Sequence, residues 1–173
     1  MMDEIKREIR ELTADELGTA LDLVWDVFAA SIAPAVSDEA IDEFWSAIDY
    51  EYMLHRFGDG QVRFWGALED GAPVGVCAVR DLQRIMLLFV TKEHQGRGVG
   101  SALLKKAVMD CKARDGGLDR VTLGALPGSV GFFEKLGFRA VGAPDGSDPL
   151  QAVPMALGPL FLSNRQKEWF LTL

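Results

Sequence analysis

The sequence predicts a single α/β domain, a mixed central sheet with helices on both faces. Three observations lead there. Helical periodicity dominates the first third of the 173 residues, and short alternating or wholly apolar runs fill the middle. Helices and strands then alternate toward the end. A hairpin feeding a buried strand, followed by a strand–helix–strand crossover, combines antiparallel and parallel pairing in one sheet.

The elements follow in order. Ile5 to Leu12 reads as a short edge strand, with Ile5, Ile9 and Leu12 set among charges. Thr13 and Glu16 have capping-box spacing. Leu17, Leu21, Val24 and Phe28 recur at helical spacing, predicting an amphipathic helix to about Ala30 that Pro34 separates from the next element. Ser37 can cap a second helix, with Asp38 and Glu39 suited to its first turn. Its apolar face would be Ile41, Phe44, Trp45 and Ile48.

Val62 to Leu68 is a strand, Glu69-Asp70-Gly71-Ala72 a hairpin turn, and Pro73 to Arg80 the return strand. Ile85 to Val90 is continuously apolar, the pattern of a central strand buried on both faces. The next helix opens at a glycine loop, turns Val99, Leu103, Ala107 and Cys111 inward, and ends at Gly116-Gly117. Arg120 to Leu126 is another strand, and a helix from about Ser129 to Leu136 stops at Gly137. Short strands at Arg139–Gly142 and Ala152–Leu157 complete the sheet.

Composition removes several classes of function. With 49% apolar and 25% charged residues the chain is ordinary for a folded domain. A formal charge of −8 disfavours a nucleic-acid partner, because phosphate neutralisation needs a basic surface. No uncharged run approaches the roughly 18 residues of a membrane span. The start, Met-Met-Asp-Glu-Ile-Lys-Arg, lacks the apolar core of a signal peptide, so a cytoplasmic protein with no membrane partner is expected. Cys77 and Cys111 lie in apolar periodic segments without a CxxC partner or a His at ligand spacing. No metal site is expected, and buried free thiols suit a reducing compartment.

The chemistry concentrates in Gln95-Gly96-Arg97-Gly98-Val99-Gly100-Ser101, where a buried strand runs through a loop into a helix. Alternating glycines let the backbone adopt unusual φ values and approach a ligand, and the N–H groups of a helix start form an anion site. A diphosphate is the natural guest. A Walker loop would need a Lys after its second glycine, and a Rossmann fingerprint counted from Gly96 would end on glycine where Ser101 stands. ATP and NAD are the weaker readings.

Gln95-x-x-Gly98-x-Gly100 resembles the acyl-CoA signature of the GNAT superfamily of N-acetyltransferases. Phe132-Phe133-Glu134-Lys135-Leu136-Gly137-Phe138 resembles that family's helix and turn beside the cofactor, usually Phe-Tyr-x-Lys-x-Gly-Phe. The element order agrees over roughly residues 5–157, giving a GNAT domain at 1–157 and a C-terminal extension at 158–173, packed on the domain or at a homodimer contact.

The resemblance implies acetyl-CoA as cofactor and an amine-bearing small molecule or peptide as acceptor. Residues 95–101 would hold the pyrophosphate, Leu88, Phe89 and Val90 would pair with the pantetheine arm, and Phe133 would lie beside it. The Val90 N–H would polarise the thioester carbonyl for direct attack by a neutral amine. Phe133 stands where relatives carry an acidic Tyr, and Leu126 where they carry Asn. A CoA-binding sensor or interaction module with weak catalysis is therefore the alternative reading. Glu51 and His94 are the candidate proton acceptors, with His55 and Asp81 behind them; the segment carrying Glu51 and His55 otherwise reads as a solvated linker, and Phe132 and Phe138 are expected in the core. Acidic residues between Asp38 and Glu51 would attract a cationic acceptor, or else form a solvated face, and Tyr50 and Tyr52 would line the pocket or merely pack.

Overall fold

A computed structural model describes residues 5–159. Strand β1 (Arg7–Glu11) is followed by three helices, α1 (Leu17–Ser31), α2 (Asp38–Ala47) and α3 (Tyr50–Gly58). Strands β2 (Val62–Glu69), β3 (Ala72–Arg80) and β4 (Arg84–Val90) come next, then helix α4 (Val99–Arg114). The chain continues through β5 (Val121–Ala125), α5 (Val130–Lys135), β6 (Arg139–Ala140) and β7 (Val153–Leu157). The expected extension at 158–173, with its packing or dimer contact, lies almost wholly outside the described residues.

The strands form one sheet in the order β1-β2-β3-β4-β5-β7-β6. Among the described strands only β4 and β5 pair in parallel, because α4 carries the chain across the sheet between them. Asp70 (φ 49°) and Gly71 (φ 82°) make the tight β2–β3 turn, whose positive φ values match the twist of the strands it joins.

Side-chain alternation sends each strand's apolar residues to two cores. On β3, Val76 and Ala78 meet the α1–α3 layer, which includes Phe28, Phe44 and Met53. Cys77 and Val79 meet the opposite layer, including Leu103, Cys111 and Phe133. Val99, Leu103, Ala107 and Cys111 are all buried, as the α4 periodicity predicts. Both thiols are free and buried, and burial pushes Cys111 up to about 11 and Cys77 further still.

The stretch Ala14–Ala35, 22 residues with mean hydropathy 1.3, is long and apolar enough to cross a membrane by composition. Within it Leu17, Leu21, Val24 and Phe28 are buried in the α1–α3 core, which accounts for its apolar character.

Four expectations need correction. The segment after α2, read as a linker, is helix α3, capped where the Asp49 carboxylate accepts the Tyr52 N–H at 3.0 Å. Trp45 does not join the core: it is 57% exposed and meets Trp25 edge-on at 4.5 Å between ring centroids. β4 is buried on both faces only in its first half, with Leu88, Phe89 and Val90 half-buried. Phe132, expected in the core, is 38% exposed, whereas Phe138 is buried as expected.

The corner between β1 and α1 turns on Glu16. Its carboxylate accepts the Thr13 backbone N–H at 3.0 Å and two parallel bonds from the Arg10 guanidinium, both at 2.8 Å. Arg10 first, then the Thr13 N–H, pulls the Glu16 carboxyl from its ordinary 4.5 down to about 2. A depressed carboxyl stabilises the fold above its unfolded pKa and loses that contribution as pH falls through the folded one. Glu16→Gln is therefore expected to lower stability by about 1 kcal/mol at neutral pH. The gap from the parent should narrow between pH 4.5 and about 2 in thermal melts, and a gap independent of pH would sink this account.

Candidate active site

The site begins with a mismatch between two strands. Ala78 pairs with Leu87 and Val79 with Ile85, so Met86 has no partner on β3. This bulge reverses the side-chain alternation: Ile85 joins the α4 core while Met86 and Leu87 both join the α1–α3 core. On the other edge, β4 meets β5 only at Arg84↔Thr122 and Ile85↔Leu123. β5 instead stays paired with β7 along its whole length, Val121 to Ala125. Beyond Ile85 the two parallel strands diverge.

That divergence exposes particular backbone groups. The Thr91 N–H donates to the Val74 carbonyl at 2.9 Å, which makes Val90↔Gly75 a non-hydrogen-bonded pair. Alternation then turns the N–H and C=O of Leu88 and Val90 away from β3 and into the gap, while Phe89 bonds to β3. The Val90 carbonyl accepts the Gln95 side-chain amide at 2.9 Å. Gln95 thus ties the loop to the end of β4.

The loop leads from β4 into α4 through a short 3-10 turn, Lys92–His94. Gly96 (φ 74°) and Gly98 (φ 78°) are left-handed, and Gly98 caps α4. A Cβ on either would meet open space, so backbone conformation and not crowding calls for glycine. At Gly100 a Cβ would lie 3.4 Å from Phe132 and 3.6 Å from Val90, packing the loop closely on both. Arg97 is exposed between the two left-handed glycines, Val99 is buried and Ser101 faces the cleft.

His94 is held from both sides. One ring nitrogen lies 2.7 Å from the Thr91 hydroxyl and the other 2.9 Å from Glu69 at the end of β2. Arg7 on β1 binds the same carboxylate at 2.6 Å. Arg7 chiefly, and His94 next, hold the Glu69 carboxyl below its ordinary range. The histidine fastens the loop to the hairpin, and neither ring nitrogen is left over for a substrate proton.

A cleft of about 610 Å³ joins these parts. Gln95, Gly96, Gly98 and Ser101 form one end, and Leu88 to Val90, Gly124 and Phe133 form the neck. Phe133 is buried, edge-on to Phe132 at 5.1 Å and to Phe138 at 5.7 Å. The far end is apolar, bounded by Phe28, Phe44, Ile48, Met53, Met86 and Leu150. Among the described residues lining the cleft, His94 is the one titratable side chain.

The other candidate proton acceptors lie elsewhere. Glu51 is exposed on the first turn of α3 and does not line the cleft. His55 sits on the same helix, 79% exposed and 3.4 Å from Asp59. Asp81 lies in the β3–β4 turn, 3.7 Å from Arg80. Tyr50 and Tyr52 are exposed and also outside the cleft. Sequence reasoning missed Met53, Met86, Ser129 and Leu150 as wall residues. No motif marks them, because four separate segments supply them.

Comparison with known proteins agrees with this geometry. The family model for the acetyltransferase (GNAT) domain matches residues 32–158. An uncharacterised N-acetyltransferase of Methanocaldococcus jannaschii is 26% identical over 147 residues, 75% of this chain and 59% of that protein. The uncharacterised N-acetyltransferase YafP of Escherichia coli is 33% identical over 97 residues, 56% of this chain and 58% of that one. The chain thus spans less than two thirds of the length of these relatives. A PaiA N-acetyltransferase of Thermoplasma acidophilum, solved in complex with coenzyme A, superposes with a TM-score of 0.74 at 21% identity, covering 88% of this chain and 99% of that one. A GCN5-related N-acetyltransferase of Rhodopseudomonas palustris gives 0.73 at 22% identity, covering 91% and 99%. With the family model matching most of the chain and the fold shared, this protein belongs to the GNAT acetyltransferase family.

Proposed function

We propose that the protein transfers an acetyl group from acetyl-CoA to an amine by direct attack. One observation carries this reading: the freed edge of β4 at Leu88 and Val90 opens into the same cleft as the glycine-capped start of α4. Such a site suits a ligand with a diphosphate at one end and an amide-bearing arm at the other. The residues fit that group, since the positive-φ glycines at 96 and 98 leave open space beside the backbone there. The coenzyme A complex of the Thermoplasma protein supports the same choice.

In this reading acetyl-CoA supplies an activated thioester. The loop amides from Arg97 to Ser101 bind the pyrophosphate, with the α4 dipole favouring negative charge. The backbone groups of Leu88 and Val90 pair with the arm as a missing strand would. The Val90 N–H donates to the thioester oxygen, where negative charge develops as nitrogen attacks. Positioning and this polarisation supply the rate, and no covalent enzyme intermediate is required. Buried free thiols at Cys77 and Cys111 suit a cytoplasmic setting.

A second reading, a CoA-binding module with weak turnover, rests on Phe133, which has no proton to donate to a leaving thiolate. Thermal unfolding with acetyl-CoA, CoA, ATP and NADH separates the possibilities. At about 100 times its dissociation constant a specific ligand adds about 2.7 kcal/mol. For a chain of this size the midpoint rises by roughly 5–10 °C. A rise with acetyl-CoA and CoA alone is expected, and no rise with either overturns the proposal. Thiol release on adding amines then distinguishes enzyme from module.

His94 gives a further test. As a loop anchor, its replacement in His94→Ala should lower stability by about 1 kcal/mol and speed amide exchange over residues 92–98. The shape of the pH–rate profile should be unchanged. Loss of the acidic limb, the rise in rate with pH, from that profile with exchange unaltered would instead make His94 the proton acceptor.

A further inference from the structure

We propose that the acceptor is a small apolar amine of low basicity, which enters the far end of the cleft already neutral. This inference rests on the acetyltransfer reading and adds its substrate class. The far end is built from aromatic and aliphatic groups on four elements and one loop. Phe28 and Phe44 stack at 3.9 Å with a 9° interplanar angle, and Phe44 meets Phe89 at 5.7 Å. Phe28, Phe44, Ile48 and Met53 are buried, and the half-buried Met86, Phe89 and Leu150 complete the open wall. The bulge explains why Met86 belongs to this wall, since it turns Met86 and Leu87 toward the same layer.

Two consequences follow for the acceptor. First, no carboxylate lines the cleft among the described residues, and Asp38, Glu39, Asp42, Glu43, Asp49 and Glu51 are all exposed on the outer faces of α2 and α3. A protonated amine would therefore lose its hydration without gaining a counter-ion, which is strongly unfavourable. Second, His94 is committed to Thr91 and Glu69, so among the described residues nothing in the cleft removes a proton before attack.

The acceptor must therefore bring its own lone pair. At pH 7 about a tenth of an α-amine with pKa near 8 is neutral, against roughly one part in 2,500 of a lysine-like amine. As the nitrogen attacks, the C–N bond forms and the thioester C–S bond breaks. The sulfur keeps the bonding pair, the nitrogen sheds one proton to solvent, and the thiolate takes one from solvent.

Four amines and one variant test this, with thiol release as the readout and the CoA-induced thermal shift recorded alongside. Phenylalaninamide should exceed phenethylamine in kcat/KM by about 200-fold at pH 7, and the gap should narrow to about 20-fold at pH 9 as the neutral fractions converge. It should exceed glycinamide by roughly tenfold, the discrimination an apolar pocket gives. Spermidine should be the poorest. Ala47→Phe, which narrows the far end from an exposed helix position, should raise the phenylalaninamide KM roughly tenfold with the CoA shift retained. A preference for spermidine, no release with any amine, or an unmoved KM, each with the CoA shift intact, overturns this inference and leaves CoA binding standing. Absence of the CoA shift overturns the proposed function itself.

Discussion

β4 carries one residue more than β3 can pair with, and that surplus at Met86 controls the architecture of the site. A bulge raises local twist and bends its strand. Here it coincides with the last contact between β4 and β5, at Ile85↔Leu123. β5 remains bound to β7 and keeps that direction, so the two parallel strands separate where the bulge bends β4. The open edge is the consequence: Leu88 and Val90 keep a strand conformation, held by β3 on one side, with nothing from β5 on the other. An unpaired edge inside a domain is unfavourable unless something fills it. In the proposed complex the ligand is that filler.

The loop beyond β4 must then be held still relative to this edge, and two side chains do so. Gln95 reaches back to the Val90 carbonyl, while His94 reaches sideways to Glu69 on β2. Each fixes the loop to a different strand, and Arg7 extends the second connection to β1. The glycines between them supply the left-handed turns at positions 96 and 98. Such a loop is pre-formed, which limits the ordering entropy of binding. Residues that read from sequence as ligand or proton contacts are thus partly the fasteners of the binding surface.

What could be read in advance follows from where the physical requirement sits. Left-handed backbone is encoded in the residue that needs it, so Gly96, Gly98 and Gly137 announced their turns. Helix caps are equally local, and Ser37 and the Thr13–Glu16 pair marked the helix starts. α3 escaped because it is only nine residues long, with Met53 alone buried and Leu54 and Phe57 partly so, too short a stripe to stand out. The bulge escaped because an unbroken apolar run conceals a change of face: Ile85, Met86 and Leu87 look alike whichever core they enter. Trp45 and Phe132 misled because size and apolarity suggest burial, although each lies at a rim. The cleft wall is a tertiary property, assembled from residues more than a hundred positions apart, such as Phe28 and Leu150.

That no carboxylate lines the cleft among the described residues connects the proposed reaction to its acceptor. A hydrogen bond is stronger in a low-dielectric site than in water, so in the proposed reaction the Val90 N–H would polarise a carbonyl more effectively among aromatic and aliphatic walls. The same walls disfavour any ammonium ion. A carboxylate placed to attract a cationic amine or take its proton would bring water and counter-charge beside the reacting carbonyl. It would also blunt the polarisation. Asp38, Glu39, Asp42, Glu43 and Glu51 are exposed on α2 and α3, and none of them lines the cleft. Phe133 belongs to the same pattern, a buried apolar ring with no proton to donate. The apolar far end therefore bears on both terms of the proposed chemistry: it strengthens the hydrogen bond to the thioester oxygen, and it selects an acceptor that needs no help with its proton.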